Sequence, residues 1–282
     1  IPKTAQKTIP YKLIYPDGIC QVNERFFSKV IQYQDINYQL ALEEDKRAIF
    51  DKYCEFLNYF DSSIKVQLCF YNYSGRIEDY QSAIAIDDQQ DAFNEIRHEY
   101  AQMLSSQLAK GNNGLVKSKY IVFGIDADSY KIAKTRLERI ELDIFGHLRG
   151  LGAIAQSLNG VERLKVMHDL LNESQHKFHF NWKALKESGL GTKDFIAPNG
   201  FDFRENGSFR MGKKFAQVSY LQILAPELSD ELLKNFLILE SDLGVTLHIQ
   251  SIEQTAAIKM IKRKITDLDK MKIEEQKKAI RS

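Results

Sequence analysis

Three histidines lie close together in this chain, at His168, His176 and His179, and a His-x-x-His spacing is one way to present imidazoles to a metal ion. No cysteine stands near them. In the stretch "HKFHF" an extended backbone points His176 and His179 to opposite faces, so the reading is of solvated loop histidines, with metal: none. A fourth, His248, sits in an apolar strand pattern and reads as a satisfied core residue.

Two acidic residues, Asp126 and Asp128, close a strand pattern and could hold Mg²⁺. Capping of the helix that follows, by residues from Asp126 to Ser129, explains them as well, and no phosphate-binding neighbours accompany them. The segment "GLGAIA" at 150–155 fits G-x-G-x-x-A, but a dinucleotide fingerprint has to follow a strand and open a helix. Here a helix precedes it, and Gly150 reads as that helix's C-cap. "GLGTKD" and "GNNGLVKS" resemble a P-loop only slightly, because neither has a Gly directly before the Lys. There is no G-x-S-x-G elbow and no Cys/His dyad by spacing. The expectation is catalytic: none, and cofactor-binding: none.

The remaining chemistry-bearing group is basic. Lys259, Lys262, Arg263 and Lys264 could meet phosphates or a partner, but Asp267, Asp269, Glu274 and Glu275 follow at once. Affinity for nucleic acid needs several uncompensated cations together, so a mixed, solvated helix face is the simpler reading. The aromatic residues Phe26, Phe27, Phe56, Phe60 and Phe70 fall at core spacing, not on a stacking platform.

The elements that must carry these residues follow from periodicity. Strands are expected at "YKLIY", "GICQV" and "RFFSKVIQYQDI", with a turn at Pro16-Asp17-Gly18. A helix over 43–60 presents Ala48, Ile49, Tyr53, Phe56, Leu57 and Phe60 on one side. "IKVQLCFYNY" alternates as a strand, then a polar stretch covers 74–90 and a helix covers 91–110, ended at Gly111. A strand at "SKYIVFGI", a helix over 130–148 and a short helix over 160–171 follow.

The pattern breaks between 172 and 200, around the single tryptophan, Trp182. Beyond it come a hairpin at "FDFRENGSFRMG" with an Asn206-Gly207 turn, a strand at "KKFAQVSYLQIL", a helix over 230–239 capped by Ser229, a strand at "GVTLHIQSI" and a last helix from Thr255. Hairpin, strand, helix, strand, helix thus occurs twice, with "FFSKVIQYQ" over "KFAQVSYLQ". The fold class is α+β, with two sheet-plus-helix units of ferredoxin-like topology. The expected division is 1–172 for the first unit, 173–200 for a boundary segment and 201–282 for a smaller second unit.

With 282 residues, 44% hydrophobic and 27% charged, the chain can bury a substantial core, and its net charge of +1 sets up no overall field toward nucleic acid or anionic lipid. Cys20, Cys54 and Cys69 form no C-x-x-C pair, which fits free thiols in a reducing compartment. The opening "IPKTAQKTIPYK" has no apolar h-region, and the longest uncharged stretch, 215–226, is far short of the ~20 residues that span a bilayer.

The last helix has an unusual pattern. Ile258, Ile261, Ile265 and Leu268 form an apolar edge that fades into Lys272, Glu275 and Ala279, and no Gly, Asn or Pro stops it before Ser282. The first residue is Ile1, not Met. Both observations suggest a piece of a longer polypeptide.

Long phrases give a resemblance. "YPDGICQVNERFFSKVIQYQDINYQL", "TKDFIAPNGFDF", "SFRMGKKFAQVSYLQIL" and "LHIQSIEQTAAIKMIKRKITDLDKMKIEEQKKAIRS" resemble the N-terminal region of conjugative-transfer ATPases of the VirB/TrbE/CagE family, encoded by integrative conjugative elements of Gram-positive bacteria. The resemblance covers essentially the whole chain and includes none of the motor motifs. It implies a non-catalytic docking and assembly region on the cytoplasmic face of the cell membrane, working in DNA transfer by a type IV secretion system. Its implied partners are other transfer proteins at the membrane and its own C-terminal RecA-like ATPase domain, which would hold the ATP and Mg²⁺. Self-association and contact with nucleic acid stay open. The alternative is a stand-alone nucleic-acid-binding module using the basic start of the last helix.

Overall fold

The computed structural model describes residues 4–36, 38, 41–74, 94–96, 98–99, 102–103, 115–173, 176–222, 239 and 241–281, side chains at 74, 115 and 274–281 apart. All but the first residue of the expected polar stretch 74–90, most of the helix at 91–110 with its Gly111 terminus, and all but the last residue of the helix at 230–239 with Ser229 lie outside the described residues.

Among the described residues the main sheet has seven strands: β1 (Leu13–Ile14), β2 (Cys20–Gln21), β3 (Phe26–Tyr33), β4 (Ile64–Ser74), β5 (Leu115–Asp126), β6 (Ala155–Ser157) and β10 (Leu243–Gln250). They run in the order β1-β2-β3-β5-β4-β10, with β6 also paired to β3, and every pairing is antiparallel. After a first helical turn α1 (Ala5–Thr8), helix α2 (Glu43–Tyr59) links β3 to β4 and α3 (Tyr130–Gly150) links β5 to β6. Each of these helices joins two strands that lie on either side of a third. The chain is α+β.

Alternation along the strands feeds both faces of this sheet. On one face Phe27 and Ile31 of β3, Val66 of β4 and Ile121, Phe123 and Ile125 of β5 meet Phe56 of α2 and Leu137, Ile144 and Leu148 of α3. The expected face of the 43–60 helix is largely right: Phe56 and Phe60 are buried and Ile49, Tyr53 and Leu57 pack beside them, while Ala48 is exposed. On the other face Val30, Cys69 and Tyr120 meet Leu158 and Val166, the latter on α4 (Gly160–Leu171). α4 begins with a reciprocal cap, Asn159 accepting from the Glu162 N–H while the Glu162 carboxylate accepts from the Asn159 N–H.

One end of α3 agrees with expectation and the other differs. Within the expected capping stretch 126–129 it is Ser129 that caps α3, accepting from the Ile132 N–H, while Asp126 and Asp128 do not serve as the cap. At the other end α3 includes Gly150, and it is Gly152, at φ +80°, that turns the chain out. The left-handed conformation demands a glycine at the second position, not the first.

The segment 173–200 is packed structure. It holds α5 (Trp182–Ser188), and its Ile196, Phe178 and Phe180 join Ile9, Tyr11, Ile14, Cys20 and Leu164 in a separate core cluster. Trp182 lies over the start of α4, where a Cβ on Gly160 would come within 2.7 Å of its ring and 2.3 Å of the Tyr15 carbonyl oxygen.

The hairpin with Gly207 at φ +89° forms as expected, between β7 (Phe201–Asp202) and β8 (Phe209–Met211). The strand expected at "KKFAQVSYLQIL" reduces to β9 (Lys214–Ala216), paired to β8 in a three-stranded sheet. Val218 and Tyr220 beyond it are 81% exposed. "FFSKVIQYQ" and "KFAQVSYLQ" therefore occupy different settings, one central in the main sheet and one in the small ribbon. The strand expected to complete the second unit, β10, pairs instead with β4, from Leu243↔Asn72 to Gln250↔Lys65. The main sheet thus draws on sequence from both sides of the 173–200 segment.

Candidate functional site

The histidines do not converge. His168 is a buried residue of α4, with Nδ1 3.1 Å from Asp169 Oδ1 and its ring against Phe178. Its environment corrects the reading of a solvated loop residue: position 168 points into the cluster around Phe178. His176 and His179 are exposed. His248, expected in the core, is also exposed and meets Gln67 of β4. No group of three or more His, Cys, Asp or Glu side chains with metal-holding geometry occurs among the described residues.

Asp126 and Asp128 are both exposed, and Asp128 accepts from Arg25 at 2.7 Å. The "GLGAIA" segment runs from a helix end into β6, so it opens no helix onto which a pyrophosphate could dock. "GLGTKD" is the C-cap of α5, Gly189 at φ +66°, followed by a single 3₁₀ turn, Thr192–Phe195. The first four residues of "GNNGLVKS" lie outside the described residues, and the rest belongs to β5.

The thiols are quiet. Burial raises the Cys20 pKa against the opposing pull of Arg163 and Lys193, and burial raises that of Cys69. Both stay protonated near neutrality and are poor nucleophiles. Tyr33, Tyr71 and Tyr120 are pushed up to about 12, chiefly by burial. An open depression of about 910 Å³ is lined by Thr4, Thr8, Asp194 and the β7 region. Its one Arg–Asp pair is self-satisfied: Arg204 Nε donates to Asp202 at 2.8 and 3.0 Å, which holds the Asp202 carboxyl down at about 2.

What the molecule presents is a helix. α6 (Gln254–Arg281) has 28 residues, and every side chain from Ile258 to Ile273 is exposed. Its edge Ile258, Ile261, Ile265 and Leu268 is 46%, 57%, 53% and 61% exposed. At about 100° per residue, Lys262 and Lys264 flank this edge on opposite sides, whereas Lys259 and Arg263 lie on the back of the helix. Lys259, Lys262 and Arg263, spaced i, i+3 and i+4, share one side of the helix, and Lys264 lies on the other flank of the apolar edge. No helix of the described residues is long and apolar enough to cross a membrane.

A scan against protein-family models finds no match, and a search of curated proteins finds none either.

Proposed function

We propose that this chain is a docking and assembly region of a conjugative type IV secretion ATPase of the VirB/TrbE/CagE family, peripheral to the cytoplasmic face of the membrane. The sequence phrases quoted above carry the family part of the reading. The observation that carries the docking part is the open edge of α6. An amphipathic helix gains its stability by burying its apolar side, and four aliphatic residues left in water over three turns are a contact surface in waiting. In this reading energy transduction belongs to a RecA-like domain elsewhere in the polypeptide, and these residues couple it to transfer proteins at the membrane.

The test is the reading frame downstream of Ser282. It is expected to run into a G-x-x-x-x-G-K-[ST] segment, and a stop codon there would remove the reading. Purified 282-residue chain is expected not to turn over ATP; turnover abolished by one substitution inside it would overturn the non-catalytic role.

A second reading, a nucleic-acid-binding module, draws on Lys259, Lys262, Arg263 and Lys264, which make no ion pair among the described residues. It requires DNA binding that weakens steeply with salt and is lost on neutralising these positions.

A further inference from the structure

The pattern of α6 says more than that it docks. With Ile258 and Ile265 at heptad position a, Ile261 and Leu268 fall at d, Lys262 and Asp269 at e, and Lys264 at g. We propose that the edge is covered by α6 of a second copy of this chain, parallel and in register, so that the two copies meet through a short coiled coil. The inference rests on reading this edge as an assembly surface and names its occupant.

Two features favour a copy of itself. First, the layers match themselves: isoleucine meets isoleucine at both a positions, and leucine meets leucine at the second d position, so all four apolar residues are covered in one register. Second, the flanks are complementary only in the parallel arrangement. A g residue lies opposite the e residue five positions on in a parallel partner, which sets Lys264 against the partner's Asp269, twice by symmetry. In the antiparallel arrangement that keeps the same four layers, e faces e and g faces g. Lys262 would then meet Lys262 and Lys264 would meet Lys264, two repulsive pairs. The paired zone ends where a and d pass to Lys272 and Glu275. It is therefore about three turns long, which predicts reversible, concentration-dependent association and not a permanent dimer.

Sedimentation equilibrium of the 282-residue chain, up to roughly 100 μM, is expected to show a monomer–dimer equilibrium. Lys264→Glu and Asp269→Lys are each expected to weaken it about tenfold, and the double variant to restore it. Both positions are exposed, so far-UV circular dichroism should not change. On a Cys54→Ser background, Leu268→Cys is expected to form an intermolecular disulfide on oxidation, since like d positions meet only in the parallel register. A chain that stays monomeric, charge variants without effect, or no cross-link at position 268 would each overturn the proposal. A downstream frame without a motor would remove the family reading and leave this one standing. Monomeric behaviour would do the reverse.

Discussion

Lys29 Nζ lies 2.5 Å from Glu141 Oε2 inside the molecule, with both side chains almost wholly shielded from water. Lys29 stands on β3 between Phe27 and Ile31, on the face that α3 covers, and Glu141 comes down from the middle of α3. The other Glu141 oxygen accepts from the Ser157 hydroxyl on β6. One carboxylate thus ties α3 and the neighbouring β6 to β3, although Lys29 and Glu141 lie 112 residues apart in sequence. Removing only one charge leaves the other buried alone, so Glu141→Gln is expected to cost about 3–5 kcal/mol in urea denaturation. Lys29→Met with Glu141→Leu should recover most of that loss, since an apolar pair of similar volume needs no solvation. A double variant as unstable as the single would show that the pair does more than satisfy itself.

Gly160 and Gly152 should respond differently to the same change. A Cβ at Gly160 meets the Tyr15 carbonyl oxygen at 2.3 Å, and backbone cannot move aside as a side-chain tip can. Gly160→Ala is expected to cost about 3 kcal/mol and to shift the emission of Trp182, the only tryptophan, which packs on the same spot. Gly152 has φ +80° but open space around its Cβ, so Gly152→Ala should cost about 1 kcal/mol, with emission unchanged. Equal costs would mean that close packing at Gly160 is not what the position requires.

These cases mark what could be read from the sequence. Gly18 in the first turn, the buried stripe of α2 and the Asn206-Gly207 turn are local patterns, and each was legible because one short window contains its cause. The pairing of β10 with β4 brings Gln250 to Lys65, and no window spans that distance. The Lys29–Glu141 pair was hidden for the same reason: a lysine in a strand reads as solvent-facing until its carboxylate is located. Trp182 has no legible role in the sequence because the segment 173–200 looks like a linker by composition, and the burial of His168 depends on Phe178 from that same segment. Its Ile196, fully buried, shows that polar and glycine-rich sequence can still supply core. The outer edge of α6 was legible throughout, since it depends on helical spacing alone.

Arg163 is expected not to tolerate lysine. Its guanidinium is buried and donates to the Gly18 carbonyl at 2.9 Å, the Ser28 carbonyl at 2.8 Å and the Ser28 hydroxyl at 2.9 Å. Burial works against its charge, and the planar set of donors helps to offset that cost. An ammonium on a thinner stem cannot reach all three acceptors, so Arg163→Lys should cost about 2 kcal/mol and loosen the first hairpin from α4. Hydrogen exchange at residues 13–21 would report the loosening; unchanged protection there would refute it.

Asp17 makes acid stability a property of the same hairpin. Its half-buried carboxylate is opposed by desolvation, but it accepts from the Tyr130 hydroxyl at 2.6 Å, from Lys134 at 2.9 Å and from the Ile19 N–H at 3.3 Å, and the net effect holds its pKa below the usual range. A carboxyl with a depressed folded-state pKa binds its proton more readily when unfolded. The stability it contributes is therefore complete above the unfolded value of about 3.9 and drains away as pH falls through the folded one. Asp17→Asn should be less stable than the parent at pH 7, and the gap should shrink as urea titrations are moved to about pH 3. The partner Tyr130, pushed up to about 12 by desolvation and by Asp17, works in the opposite window and stays neutral across this range. A gap that stayed constant from neutral to acid pH would place the effect of Asp17 in hydrogen-bond geometry and not in its charge.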